Sequence, residues 1–436
     1  MYNILIVHCY HGEYPIRKTS EDYLFSFRRY SGHRCFYLNL AFSGTPWYLN
    51  KIKWDLIIFS HLFTSERWDP TNFPKIVKKA QPLKKINAIK ILFNQDEFLY
   101  TDVLCDFINE FDIGFVFSNA KESEWRKIYP TVDFKKVRFL TVLTGYLDDH
   151  TIEKIKKLSK IVPERNIDIG YRASHAPASW GRHGALKVLV ADVFQNAVKE
   201  ETLKTNISLR REDTFLGDEW YKFLLQCKYT LGVEGGSSIL DADGTIRQKT
   251  EEFSRKHPHA SFIELESACF PGADGSIELF AISPRHLEAC ATKTCQILVE
   301  GQYNEILIPG IHFIELKKDF SNLDIVIERI KEDKDRQEII DRAYRDIVES
   351  GKYNYRNFVK FVIESAIGKA KCPGTSDDDD VKIKIMYQYG TFIESITWTI
   401  LPFESCIFNK IIPRFPRSFV KVLKRTKEYF DYITQT

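Results

Sequence analysis

The chain has 436 residues, too many for one ordinary core, so two domains of roughly 150–200 residues plus an extra segment are expected. Its composition is globular, with 44% hydrophobic and 28% charged residues, and a net charge of +3 argues against nucleic acid as a partner. Nine scattered cysteines, at 9, 35, 105, 227, 269, 290, 295, 372 and 406, form no CxxC pair, which argues for reduced thiols in a cytoplasm and against a disulfide frame or zinc knuckle.

The start, Met1-Tyr2-Asn3-Ile4-Leu5-Ile6-Val7, has no basic leader and reads directly as a buried strand over Ile4–Val7. No apolar run approaches the ~20 residues of a membrane-spanning helix. Ser20-Glu21-Asp22 opens a helix, with a capping Ser and acids in its first turn. Cys35–Leu38, Leu56–Ser60, Lys90–Phe93, Ile113–Phe117 and Phe139–Leu143 read as further strands. Strand, polar turn and helix in repetition predict a parallel sheet covered on both faces over residues 1–160.

A second unit, 161–365, starts with the strand Ile167–Arg172. Helices are expected at Leu186–Lys199 and Trp220–Cys227, and a strand at Tyr229–Val233. From Ile239 to Ile282 the pattern weakens and reads as an insertion at the mouth of this unit. Ser283 and Pro284 open a helix, because Ser caps free N–H groups and Pro loses no bond in the first turn. Cys295–Val299 is a buried strand, Leu323–Ile330 a helix and Asp333–Glu349 a long charged helix. The fold class is therefore α/β, two Rossmann-like doubly wound domains facing a cleft, where ligands sit at carboxyl strand ends.

Residues 366–436 differ. Cys372–Ser376 and the acidic run Asp377–Asp380 form a linker, and a basic, aromatic helix spans Phe419 to Ile433. Two readings stay open for this tail: peripheral contact with a membrane surface, or an accessory helix packing back on a domain, the second preferred.

Two segments carry chemistry. Arg285 and Glu288 share one face near the positive end of the helix opened by Ser283. An Arg at a helix N-terminus suits a diphosphate, and a Glu one turn on can accept both hydroxyls of a ribose diol. An ordinary helix start with a surface ion pair is the plain alternative. Glu234-Gly235-Gly236-Ser237 follows a strand, so its glycines let backbone N–H groups approach a ligand while Glu234 meets sugar hydroxyls.

These segments resemble the GT-B glycosyltransferases of the group-one, retaining, family-4-like kind known from bacterial polysaccharide and O-antigen biosynthesis. In that group a strand ends in a Glu-Gly turn, and a helix presents a second Glu followed by Ala. Here Arg285-His286-Leu287-Glu288-Ala289 matches the second element closely. Glu234 matches the first, displaced by the 239–282 insertion. Ile167–Arg172, Asp218-Glu219-Trp220-Tyr221 and His312–Asn322 also look like segments of such enzymes. The resemblance implies that Glu288 holds the nucleotide ribose, that Glu234 touches the donor sugar, and that backbone around Gly235 to Ser237 meets the phosphates. It implies a nucleotide-diphosphate sugar as donor, a glycan or lipid-linked acceptor, no cofactor, no metal and a place in the cytoplasm, at the inner membrane face if the tail meets lipid.

Arg172, at a strand end, is expected to neutralise the departing diphosphate, with Arg182 and Lys187 as further cations. Asp241-Ala242-Asp243-Gly244 could bind a metal through two carboxylates, but the turn reading is preferred. On the first-domain side His8, His11, His61, Gln95, Asp96 and Glu97 all follow predicted strands, where an acceptor hydroxyl would be held; a His or carboxylate there, such as Asp96, could act as base in an inverting reaction, whereas a retaining one requires none. The expected activity is glycosyl transfer in surface polysaccharide or lipopolysaccharide biosynthesis. A nucleotide-sugar epimerase of the same frame and a non-catalytic nucleotide-binding assembly protein remain as rivals.

Overall fold

The computed structural model describes residues 1–11, 18–42, 44–162, 164–199, 201 and 203–368. The tail from 369 onward, with its linker and basic helix, lies outside the described residues.

The first half is built on six strands: β1 (Asn3–His8), β2 (Arg34–Asn39), β3 (Leu56–Phe59), β4 (Ile89–Phe93), β5 (Phe115–Ser118) and β6 (Arg138–Thr141). They run parallel in the order β2-β1-β3-β4-β5-β6. All six residues of β1 are buried, as an apolar strand flanked by helices on both faces requires. Two apolar clusters cover the two faces, one around Leu5, Phe59 and Phe107, the other around Ile4, Tyr23 and Phe358.

The second half carries β7 (Ile167–Arg172), β8 (Thr205–Ser208), β9 (Cys227–Gly232), β10 (Gly235–Ser237), β11 (Leu279–Ala281), β12 (Cys295–Val299) and β13 (Ile314–Leu316). Five of them form a parallel sheet in the order β13-β12-β9-β7-β8. The chain thus holds two Rossmann-like sheets facing a cleft, the GT-B arrangement. Each order reverses once, at β1/β3 and at β7/β9, and such switch points open a crevice at the carboxyl ends of the strands.

Several elements differ from expectation. β8 and β13 are short, and the half-exposed Thr-Asn-Ile-Ser of β8 gives no apolar run to read. The segment expected as one helix over Asp333–Glu349 is divided. Asp333 takes a left-handed φ of 51°, a new helix covers Arg336–Ala343, and Tyr344–Glu349 widens into a π turn. The helix Tyr355–Ile367 crosses back to pack on the Lys18–Tyr30 helix, so it joins the core of the first half.

The 239–282 region is an ordered unit. β10 and β11 pair as an antiparallel ribbon, and two helices, Thr245–Lys256 and Phe262–Cys269, lie between them. It is fastened to the first half by main-chain bonds, Asp241 N to Phe98 O at 2.7 Å and Tyr100 N to Asp241 O at 3.0 Å. Ile277 and Leu279 enter the first half's core. Gly244 permits this contact: its φ is +81°, and a Cβ would lie 2.0 Å from the Tyr100 ring. The carboxylates of the Asp-Ala-Asp-Gly turn serve the same unit. Asp241 accepts the N–H groups of Ile246 and Arg247, and Asp243 accepts the Thr245 N–H and its hydroxyl.

Candidate active site

Two adjoining cavities of about 240 and 340 Å³ occupy the cleft between the sheets. Both are walled by Arg172, Trp220, Ser283, Pro284 and Arg285 from the second half. Gln95 and Thr144 face them from the other side.

The Pro284–Ala291 helix builds the second-half wall. The Ser283 side chain accepts the Arg285 N–H, and the Ser283 N–H donates to His286 Nδ1 at 3.0 Å, closing a capping box. That bond fixes the neutral tautomer, and burial holds the His286 ring down at about 3. Glu288 follows one turn later and lines the smaller cavity while being only 6% exposed. Its carboxylate accepts the Trp220 indole N–H at 2.8 Å and the Tyr221 hydroxyl at 3.4 Å. Burial pushes it up to about 7, against the Trp220 bond and Arg285.

Arg285 donates to the Arg172 carbonyl at 2.6 Å, and its guanidinium lies 5.4 Å from the centre of the Trp220 ring. Lys187 lines the larger cavity. Burial lowers its ammonium and Asp96 opposes that. Ser283 and Arg285 thus border both cavities at the positive end of a helix, with Glu288 opening on the smaller and Lys187 on the larger.

Other expected residues are turned to different work. Arg172 borders the cleft, but its guanidinium donates to the carbonyls of Asp213, Tyr171 and Asn206 and to Asn206 Oδ1, all within 2.9 Å. It is also held between Phe215 and Phe223, at 4.8 and 4.6 Å. Its donors hold the end of β7. Arg182 is an exposed ion pair with Glu266 and Asp274 and lines neither cavity. Glu234 also lines neither. Its carboxylate accepts the Tyr303 N–H at 2.6 Å, and Gly301 leaves room for it, since a Cβ there would lie 2.4 Å from Glu234 Oε2. Gly235 and Gly236 line the larger cavity through backbone. Gly236 is also demanded by the ribbon, where a Cβ would lie 1.8 Å from the Leu279 carbonyl. The Ser237 hydroxyl, fully buried, donates to the Ile239 carbonyl at 2.9 Å.

The first-half side divides in the same way. His61 lines the smaller cavity, packed edge-on against Tyr23 at 4.6 Å, and burial lowers its ring to about 4. Gln95 lines both cavities, and its Nε2 donates to Thr144 O at 2.7 Å. The Thr144 hydroxyl in turn donates to Ile282 O at 2.6 Å, just before the Ser283 cap. Asp96 borders the larger cavity. Its side chain is exposed at the cavity rim; the surrounding protein raises the carboxyl, while Arg67 and Lys187 oppose. Glu97 is 0% exposed and sealed beneath the turn, accepting from Ser118, Asn119 N and Tyr129. His8 is buried beside Tyr37, with its ring lowered to about 3, and lines neither cavity. His11 pairs with Glu66 at 2.8 Å outside them.

Thr144, Lys18 and Tyr23 line the smaller cavity and were not singled out from sequence. Thr144 directly follows the strand expected at Phe139–Leu143, so the strand-end rule that selected Gln95 would have found it. Lys18 and Tyr23 carry no comparable sequence signal.

No family model matches the chain, and no curated protein does. Solved structures similar in shape include HepE of Anabaena in complex with UDP, 12% identical, covering 84% of this chain and 99% of that one at a TM-score of 0.47. A glycosyltransferase from Rickettsia africae is 9% identical, covering 85% and 99% at 0.45. An apo structure of OtsA is 10% identical, covering 86% and 100% at 0.43.

Proposed function

We propose that this chain is a glycosyltransferase that moves a sugar from a nucleotide-diphosphate donor to a glycan or lipid-linked acceptor. The observation that carries this reading is the convergence of the capped helix start at Ser283, Arg285 and the buried carboxylate of Glu288 on one cavity. A diphosphate placed at that helix end meets the helix dipole and Arg285, with Lys187 on the adjoining cavity. A ribose one turn further meets Glu288, which accepts from a diol when ionised. As the sugar–phosphate bond breaks, charge develops on the diphosphate, and the cations held beside that helix end stabilise it. The acceptor hydroxyl enters from the first half, between His61, Gln95 and Asp96.

In this reading transfer proceeds with retention, needs no metal, and serves surface polysaccharide assembly in the cytoplasm. Arg172 and Glu234 shape the site through backbone contacts. The test is an assay of purified protein with a panel of nucleotide sugars and a lipid-linked glycan acceptor. Acceptor-dependent release of nucleoside diphosphate with a labelled glycan product supports the reading. Interconversion of the donor sugar without any acceptor contradicts it.

A further inference from the structure

The helix Asp218–Gln226 meets the Pro284–Ala291 helix through Trp220 and Tyr221, and Trp220 lies in its first turn. The start of that helix is anchored, since Asp218 pairs with Lys154 at 2.9 Å. Trp220 makes two contacts of different kinds with the same partner helix. Its Nε1–H donates to Glu288 Oε2 at 2.8 Å. Its ring face carries the Arg285 guanidinium at 5.4 Å.

We propose that Trp220 is a positioning residue of the donor site, its N–H orienting the Glu288 carboxylate and its ring face orienting the Arg285 guanidinium. The proposal rests on the donor reading given above. With Trp220 on Oε2 and the longer Tyr221 bond on Oε1, the buried carboxylate bordering the cavity is held in one orientation, chiefly by the shorter Trp220 bond. A planar cation resting on an indole keeps its N–H fork in one plane. One side chain thus sets both the group that would accept from a ribose and the group that would donate to a diphosphate. Four groups bear on the ionisation of Glu288: Trp220 and Tyr221 from one helix, Arg285 from its own, and Asp22 from the Lys18–Tyr30 helix, which opposes the other three. Trp220 also carries the Arg285 guanidinium on its ring.

Trp220→Phe keeps the ring face and removes the N–H. The experiment combines a ¹³C titration of the Glu288 carboxyl in ligand-free protein with calorimetric titration of the four common nucleoside diphosphates, in wild type, Trp220→Phe, Glu288→Gln and the double variant. Circular dichroism confirms the fold of each. Trp220→Phe is expected to raise the Glu288 midpoint by about one pH unit, as loss of one hydrogen bond to the charged form requires. Nucleotide affinity at pH 7 is expected to fall about three- to tenfold, with the deficit shrinking at pH 9. In the Glu288→Gln background the same substitution is expected to cost less, because part of its action passes through Glu288. An unchanged midpoint overturns the proposal alone, leaving the donor reading intact if wild type still binds a nucleotide. A shifted midpoint with no nucleotide bound by wild type overturns the donor reading and the proposal with it.

Discussion

The two halves offer the cleft the same kind of strand end, yet they use it differently. On the second half, Arg285, Glu288 and Lys187 border the cavities, Arg285 bonded to the Arg172 carbonyl and Glu288 to Trp220 and Tyr221. On the first half, the polar residues after β4 are largely spent on each other and on the backbone. Arg67, 1% exposed, donates to the carbonyls of Leu99, Thr64, Gln95 and Asp96, and Glu97 is enclosed by Ser118, Asn119 and Tyr129. The second half therefore sets its charged groups along the cleft, whereas the first half uses buried charges to hold a turn in shape. A carboxylate at a strand end can belong to either kind, and only its burial and partners tell which.

Substitutions on the two sides should separate along that line. The largest effect is expected on the first half. Glu97→Ala leaves Tyr129, Ser118 and the Asn119 N–H without their buried acceptor, and should cost about 3–5 kcal/mol of stability in chemical denaturation. Nucleotide binding by the remaining folded protein should be unchanged. A stable variant with lost binding would reverse the roles given to the two sides.

Glu288 should behave in the opposite way. Its folded midpoint of about 7 lies above the ordinary 4.5, so the native protein binds a proton that the unfolded chain releases between those values. The stability contributed by the neutral form is complete below about pH 4.5 and lost as pH rises through 7. Glu288→Gln should therefore be more stable than wild type at pH 8, by up to about 3 kcal/mol, and show little gain at pH 4.5. The same variant should bind nucleotide about 10- to 100-fold more weakly at pH 8. Thermal denaturation across pH, with and without nucleotide, reads both.

Smaller effects refine the map of cations. Lys187→Ala should weaken diphosphate binding about tenfold and flatten its salt dependence, with the fold intact. Arg182→Ala should change stability by less than about 1 kcal/mol and leave binding alone, since that exposed residue is paired outside the cavities.

The alternation of apolar runs and polar turns made the first sheet and the three inner strands of the second legible, because strands covered on two faces must be apolar throughout, while the short edge strands β8 and β13 escaped it. The helix start at Ser283 was legible for a local reason: capping and the placement of Arg285 and Glu288 depend only on nearby residues. Glu234 shows where such reading stops. Its position after β9 is visible, but its carboxylate turns to the Tyr303 N–H, which lies far along the chain. Arg172 stops it too, since four acceptors from three separate segments capture its guanidinium. The 239–282 region lost its pattern because part of its apolar surface packs on the first half.

A thermal-shift titration with nucleoside diphosphates, run on wild type, Glu288→Ala and Arg285→Ala, tests the donor side of the cleft most directly. A ligand that binds only the folded state raises the melting temperature by mass action. A rise with one nucleotide in wild type, lost in both variants, is the predicted result. A well-folded wild type that responds to no nucleotide, or variants that respond as wild type does, would contradict the placement of the donor at the Ser283–Glu288 helix.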